Sequence, residues 1–320
     1  MLVAVADSVF PNLDPAREVL SQIGADLKLS PDKSPESILA IARDADAVLV
    51  TYAKITGDMI KQMPKVKIIS RFGIGVDNVD LATATAQGIV VTKVPDYCID
   101  EVSDHAVALL LTVVRKIPLA DSMVQKGRWE MPAVVPIHRL RGSVLGLAGF
   151  GRIPQLVVPK AQAFGMKVIA YDPFVPADVF KSLNVEQVDF QQLLAQSDYI
   201  SVHTPLVPET KGLFNAAAFK AMKKTAYIVN TARGPVIDET DLAKALDAGE
   251  ISGAGLDVMT QEPPVNSPLL GRPNVIITPH TSFYSEESLI ELQTKAAQEV
   301  VAVLQGRAPR NPVNPEALKR

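Results

Sequence analysis

The sequence predicts an α/β protein whose strands lie parallel. Short β-branched runs alternate with helical patterns along nearly the whole chain, which is the rhythm of strand–helix–strand crossovers. The alternation breaks once, around residues 95–100, and restarts at Ser143. Composition agrees with two packed domains: 320 residues, 48% hydrophobic and 21% charged, enough to bury substantial cores.

In the first stretch, strands are expected at 2–7, 47–52, 67–71 and 89–94, with helices at 15–23 and 35–43. A long apolar helix is expected at 101–116 (EVSDHAVALLLTVVRK). Its pattern is too apolar for a surface helix, so it should lie between domains or against a partner subunit. From Ser143 on, six strands are expected, at 143–148, 167–172, 199–203, 226–230, 253–258 and 274–278. Six strands with helical crossovers is the count of a doubly wound dinucleotide fold. Asp238 is placed to cap a helix over 238–247, and an amphipathic helix should run from 286 to 305 and stop at Gly306.

Several function classes are excluded. Lys and Arg total 32 against 35 Asp and Glu, which leaves no basic footprint for nucleic acid and no polybasic membrane patch. The longest apolar run, 106–114, has nine residues, too few to span a bilayer. The opening MLVAVAD reads as a first strand, not a signal peptide. With a single cysteine, Cys98, a cytoplasmic setting is expected. No metal site is expected.

The chemistry-bearing segments follow strands. Gly149-Phe150-Gly151 ends one strand and opens a helix, where the first glycine makes a tight turn and the second admits a pyrophosphate to the helix N-terminus. The third glycine of that fingerprint is replaced by Pro154. Proline is tolerated in a first helical turn, at the expected expense of close helix–strand packing. Asp172 ends the next strand, 21 residues after Gly151, where an acid takes ribose hydroxyls; with no Arg following it, NAD is preferred over NADP. Arg233, Glu262 and His280 each follow a later strand. The carboxyl ends of parallel strands line the ligand crevice, so the three should converge. His280 can exchange a proton near neutrality, Glu262 beside it would favour the imidazolium, and Arg233 can grip a carboxylate in a planar fork. His105 and His138 sit in no such motif and read as ordinary polar residues.

With these segments in hand, the chain resembles the D-isomer-specific 2-hydroxyacid dehydrogenase family. RFGIGVDNVD (71–80), GFGRI (149–153), VHTPLVPET (202–210), NTARG (230–234), GLDVMTQEPP (255–264) and TPH (278–280) occur in the family's order. The resemblance implies two Rossmann-like doubly wound domains. A flavodoxin-like substrate domain would be formed by both chain ends (1–98 and 286–320), and an NAD-binding domain by 99–285. It implies Arg233, Glu262 and His280 as the catalytic set of an enzyme interconverting a 2-oxo acid and a D-2-hydroxy acid. Cofactor contacts are implied at Gly149, Gly151, Arg152, Ile153, Asp172, Thr231 and Ala232, with Thr204 and Pro205 at the adenine and Asp257 at the nicotinamide carboxamide. Ile74 and Gly75 would offer backbone N–H groups to the substrate carboxylate.

Among relatives, D-3-phosphoglycerate dehydrogenases are similar but need cations for a phosphate, and Tyr52 stands where a second one is wanted beside Lys54. Phe283 after the TPH segment resembles the C-terminal-binding-protein subgroup, whose members act as NAD(H)-responsive scaffolds. Tyr52, Tyr97 and Phe283 as pocket walls suit a modest, apolar substrate side chain. The arm 101–129 resembles the family's dimerisation element, so a homodimer is expected.

Overall fold

All pairings between the strands of the two sheets are parallel. The computed structural model describes residues 1–319. It separates into one unit made of Met1–Cys98 with the segment returning from Tyr284, and a second made of Ile99–Phe283.

The first unit runs β1 (Leu2–Val5), α1 (Asp14–Ser21), β2 (Asp26–Leu29), α2 (Pro35–Ala42), β3 (Ala47–Val50), α3 (Gly57–Ile60), β4 (Ile68–Arg71), α4 (Leu81–Ala86) and β5 (Val90–Thr92). Its sheet has the order β2-β1-β3-β4-β5, the flavodoxin-like arrangement. β3 and β4 are buried at every residue, because central parallel strands are covered on both faces. Five strands are found in this stretch where four are expected from the sequence. The additional one is β2, an edge strand whose DLKL buries only Leu27; a strand paired on one side has no need of an apolar run.

In the second unit, α5 (Ile99–Val114) and α6 (Ile117–Gln125) precede β6 (Val144–Ala148), α7 (Arg152–Ala163), β7 (Lys167–Tyr171), α8 (Ala177–Ser182), β8 (Glu186–Gln187) and α9 (Phe190–Gln196). Then come β9 (Tyr199–Val202), α10 (Ala216–Ala221), β10 (Tyr227–Asn230), α11 (Glu239–Asp247), β11 (Gly253–Leu256) and β12 (Val275–Ile277). The sheet order is β12-β11-β10-β9-β6-β7-β8: the dinucleotide-binding 3-2-1-4-5-6 arrangement with one strand added at the far edge. Seven strands replace the expected six, since β8 is a two-residue exposed strand with no periodicity to read. One core packs α9, α10 and α11 on the sheet through Leu193, Phe219 and Leu242, and another packs α5, α7 and α8 through Leu109, Val157 and Phe180.

The apolar face of α5 is covered within this unit by α7, β10 and β11. Close approach is possible because Gly255 faces Leu109; a Cβ there would lie 3.3 Å from that of Leu109. The helix stops sooner than the sequence pattern suggests. Lys116 takes a left-handed backbone (φ 55°) and Pro118 opens α6. α7 follows Gly151 as its N-cap and carries Pro154 in its first turn, where no intrahelical N–H bond is lost. The looser helix packing expected from Pro154 is not found: its ring is buried, and Val157, Val158 and Ala161 join Leu145, Leu147 and Phe150 in the core.

The chain then returns to the first unit as α12 (Glu286–Leu304), capped by Ser285 through Ser288 and packed on α1, β3 and β4. Gly306 terminates it at φ +74°. Asp238 caps α11 through the Asp241 N–H, as its position before that helix predicts.

Candidate active site

The dinucleotide end of the second unit is built around two glycines. Gly149 has φ +97°, and a Cβ there would lie 2.9 Å from the carbonyl carbon of His203. Only glycine allows β6 to turn so close to the end of β9. A Cβ added at Gly151 would meet nothing within 4 Å, so space opens above the unshielded N-terminus of α7, where an anion is favoured. Asp172 ties this turn to β7. Its Oδ2 accepts from the Phe150 N–H at 2.8 Å, and its Oδ1 from the N–H groups of Phe174 and Val175 at 2.9 and 3.2 Å. Of roughly four acceptor positions on a carboxylate, one is left for a ribose hydroxyl.

The hydroxyls of Thr204 and Thr231 are buried without a hydrogen-bond partner in the protein. Orphaned buried hydroxyls of this kind call for a ligand atom. Both residues stand at carboxyl ends of strands in the same sheet, after β9 and β10. Together with the glycine turn and Asp172, they fit a dinucleotide. Arg152 and Ile153 occupy the first turn of α7, while Pro205 follows Thr204 and Ala232 follows Thr231 in their loops. Among the described residues, no group of His, Cys, Asp and Glu is arranged to hold a metal ion.

Arg233, Glu262 and His280 all belong to the second unit. Asn230, at the end of β10, accepts from the Ala232 N–H and donates to the Arg233 carbonyl (both 2.9 Å), fixing the Arg233 backbone. One guanidinium N–H goes to the Ala232 carbonyl at 2.7 Å. Next to it, Gly234 is pressed onto the chain before Glu262; a Cβ there would lie 2.0 Å from the Met259 carbonyl carbon. Glu262 accepts from the Met259 N–H at 2.9 Å and lies 2.7 Å from His280 Nδ1. Burial pushes the Glu262 carboxyl up, but the hydrogen bond and charge of His280, the Met259 N–H and the charge of Arg233 outweigh it. The carboxyl is held below its ordinary value.

His280 has a left-handed backbone (φ 52°), and its N–H is shared between the Asp257 and Thr278 carbonyls at 2.8 and 3.0 Å. Asp257 anchors this loop: its carboxylate accepts from the Thr278 hydroxyl at 2.6 Å and from the N–H groups of Thr281 and Ser282, both at 2.9 Å. The side chain expected at the nicotinamide therefore spends three acceptor positions on the loop that carries His280. Phe283 stands edge-on to the His280 ring, with centroids 6.2 Å apart.

In the first unit, Tyr52 follows β3 and is fixed by its N–H to Asp7 Oδ2 at 2.8 Å, with the Lys33 ammonium 5.5 Å above its ring. Ile74 and Gly75 lie in the turn after β4. Tyr97 is buried; burial pushes its phenol well above the usual range, partly opposed by the charge of Arg71.

Two further residues gain their meaning only in the folded chain. Arg71, at the end of β4, is a buried cation whose guanidinium covers Gly73; a Cβ on Gly73 would collide with it at 1.3 Å. The sequence signal for it is a cation at a strand end, next to a glycine turn. His105, an ordinary polar residue by its sequence context, lies 3.0 Å from the Thr278 hydroxyl. It sits in no local motif, and only the fold brings it to the TPH segment.

The fold and this end of the sheet define a dinucleotide-dependent protein of two parallel α/β units, with an Arg, a Glu–His pair and a glycine turn in one of them. Residues 107–282 match the model of the D-isomer specific 2-hydroxyacid dehydrogenase NAD binding domain. The chain belongs to that family. NAD is the dinucleotide of its second unit.

Relatives agree on the family and differ in substrate. A D-3-phosphoglycerate dehydrogenase of Methanocaldococcus jannaschii is 39% identical over 95% of this chain and 58% of its own length. A glyoxylate reductase of Korarchaeum cryptofilum is 37% identical over 92% of this chain and 91% of its own. The chain thus spans somewhat over half the length of the phosphoglycerate dehydrogenases it matches. The D-lactate dehydrogenase of Aquifex aeolicus, solved with NAD and lactic acid, superposes with a TM-score of 0.86 at 28% identity, covering 100% of this chain and 98% of the other. No helix of the described residues is long and apolar enough to cross a membrane.

Proposed function

We propose that the protein is an NAD-dependent dehydrogenase that interconverts a small 2-oxo acid and the D-2-hydroxy acid, with Arg233, Glu262 and His280 as its catalytic residues. The 2.7 Å pairing of His280 Nδ1 with Glu262, beside the charge of Arg233, carries this reading. The second unit would hold NAD, and the first, with Tyr52, Ile74, Gly75 and Tyr97, would serve the substrate.

Bound NADH supplies the hydride to the 2-oxo carbon. The protein must do the rest: hold the carboxylate and deliver a proton to the carbonyl oxygen. Arg233 keeps one N–H on the Ala232 carbonyl and presents the planar fork of its guanidinium to the carboxylate. With Nδ1 engaged by Glu262, Nε2 of His280 is the nitrogen through which the proton passes, and the ionised Glu262 stabilises the imidazolium beforehand. In the oxidative direction, His280 takes the hydroxyl proton back. Thr204 and Thr231 would satisfy their buried hydroxyls on NAD, and Asp172 would accept a ribose hydroxyl.

The sign of the pH dependence follows from Glu262. Its carboxyl is lowered from 4.5, so its support of the imidazolium is fully present above that value and is lost as pH falls through the lowered pKa. Glu262→Gln removes that support at every pH. We expect 2-oxo acid reduction by this variant to fail first on the alkaline side, so that its optimum moves to lower pH; an unmoved profile from about pH 5 to 9 would contradict the pairing.

The proposal is tested by NADH consumption with glyoxylate, hydroxypyruvate, phosphohydroxypyruvate, pyruvate and longer apolar 2-oxo acids, with NADPH as control. Turnover of small unphosphorylated acids is expected, in keeping with Phe283 beside His280. A second reading, a phosphorylated substrate, has its support in the buried Arg71 cation and in the phosphoglycerate dehydrogenase relatives; a marked preference for phosphohydroxypyruvate would select it. NADH binding with no turnover on any acid would instead favour an NAD(H)-responsive scaffold.

A homodimer is also proposed. α6 and the turn after it expose Ile117, Val124, Trp129, Met131 and Val135, with Trp129 at 89% of its full accessibility. Large apolar side chains exposed together along one segment suit a surface that a partner subunit covers. Sedimentation should give twice the chain mass, and Trp129→Glu should shift the equilibrium to monomer. Buried Cys98 suits a reducing cytoplasm.

A further inference from the structure

His105 lies in the first half of α5, with its side chain 25% exposed, and it touches the loop that carries His280 through Thr278. The geometry fixes the direction of its hydrogen bond. Thr278 Oγ1 is 2.6 Å from Asp257 Oδ1 and 3.0 Å from His105 Nε2. A carboxylate only accepts, so the single Thr278 hydroxyl proton goes to Asp257. The Thr278 oxygen must then accept from His105, whose Nε2 carries a proton. That same Nε2 stands 3.5 Å from Asp257 Oδ1, and the Asp257 side chain is fully buried.

Asp257 in turn receives the Thr281 and Ser282 N–H groups, while its own carbonyl and that of Thr278 share the His280 N–H. The segment from Thr278 to Ser282 thus wraps one carboxylate, and His280 is held at the crest with φ 52°. A left-handed backbone at a non-glycine residue is strained, so this crest persists only while the bonds around Asp257 are intact.

We propose that His105 is a positioning residue for His280: by donating Nε2–H to Thr278 it holds Thr278 on Asp257, and through Asp257 it keeps the His280 imidazole on Glu262. The proposal rests on the reading of His280 as the acid/base, but its structural half can be measured separately.

Three variants test it. His105→Leu keeps bulk and removes the donor. His105→Gln returns an N–H at about the reach of Nε2. Thr278→Val removes the bridging hydroxyl. Each is measured for kcat and KM with the best 2-oxo acid, for NADH affinity, and by NMR for solvent exchange of the His280 Nδ1 proton in histidine-labelled protein. His105→Leu should lower kcat by roughly tenfold to a hundredfold, the usual scale for a partner one shell removed from the chemistry. NADH affinity should be unchanged and the His280 Nδ1 proton should exchange faster.

His105→Gln should recover most of kcat and the slow exchange. Thr278→Val should match His105→Leu, and the double variant should lose no more than either, because both break one chain. Wild-type kcat and exchange in His105→Leu, equal impairment in His105→Gln, or additive losses in the double variant would each overturn the proposal. If the unaltered protein turns over no 2-oxo acid, the dehydrogenase reading fails. The exchange rates then still decide: faster in His105→Leu and slow in His105→Gln supports positioning, and no difference overturns it.

Discussion

His280→Ala is expected to lower turnover by roughly 10²- to 10⁴-fold, the span that a positioned general acid supplies, while NADH binds as before. The split follows from where the side chain acts. Its Nδ1 is on Glu262 and its ring stands against Phe283, whereas the glycine turn, Asp172 and the two orphaned threonine hydroxyls lie at other strand ends. One confounder is local: at φ 52° alanine is strained. His280→Asn controls for it, because asparagine tolerates the left-handed region yet cannot act as an acid near neutrality. Loss of turnover in both, with NADH affinity and melting temperature retained in the Asn variant, is the expected result. Parallel loss of NADH binding in both would make His280 a structural residue.

Gly234→Ala should be nearly as damaging by a different route. The added Cβ would meet the Met259 carbonyl carbon at 2.0 Å, its oxygen at 2.2 Å and the Thr260 nitrogen at 2.4 Å. All three are backbone atoms, so no side chain can swing aside and the two loops must part. One loop carries Arg233 and the other carries Glu262. Overpacking of this kind costs about 1–3 kcal/mol or more, and a shift near 1 Å at reacting groups can cost on the order of a hundredfold in rate. A lowered melting temperature together with at least that loss of turnover is expected. Gly151→Ala is the contrast, since its Cβ meets no protein atom within 4 Å: melting should hold while NADH binding weakens. Wild-type activity in Gly234→Ala would show that the apposition of the two loops does not matter to catalysis.

What could be read from residues alone has a physical pattern. Fully buried parallel strands such as β3, β9 and β10 announce themselves as apolar runs. The caps at Asp238 and Gly306 and the Gly149 turn are local chemistry, readable from a few neighbours. β2 and β8 are not legible because these two edge strands bury one residue and none. The four-residue α3 and six-residue α4 hold too few turns for a helical period to emerge. At the site, the pairing of Glu262 with His280 follows from strand-end logic. Arg71 shows in the sequence only as a strand-end cation and His105 not at all, because their meaning comes from partners brought up by the fold: Gly73 under the guanidinium and, for His105, a hydroxyl 173 residues away. Asp257 has a motif, yet its bonds to residues 278–282 belong to tertiary structure.

The proposed reaction is hydride transfer to a 2-oxo acid with proton delivery by the His280–Glu262 pair, giving the D-hydroxy acid. It is tested most directly by running the reduction with NADH on the best substrate that yields a chiral product, then resolving the product by chiral chromatography. The expected result is the D-enantiomer in amounts equal to the NADH consumed, and almost none from His280→Asn. The L-enantiomer, a racemate, or undiminished product from His280→Asn would contradict it.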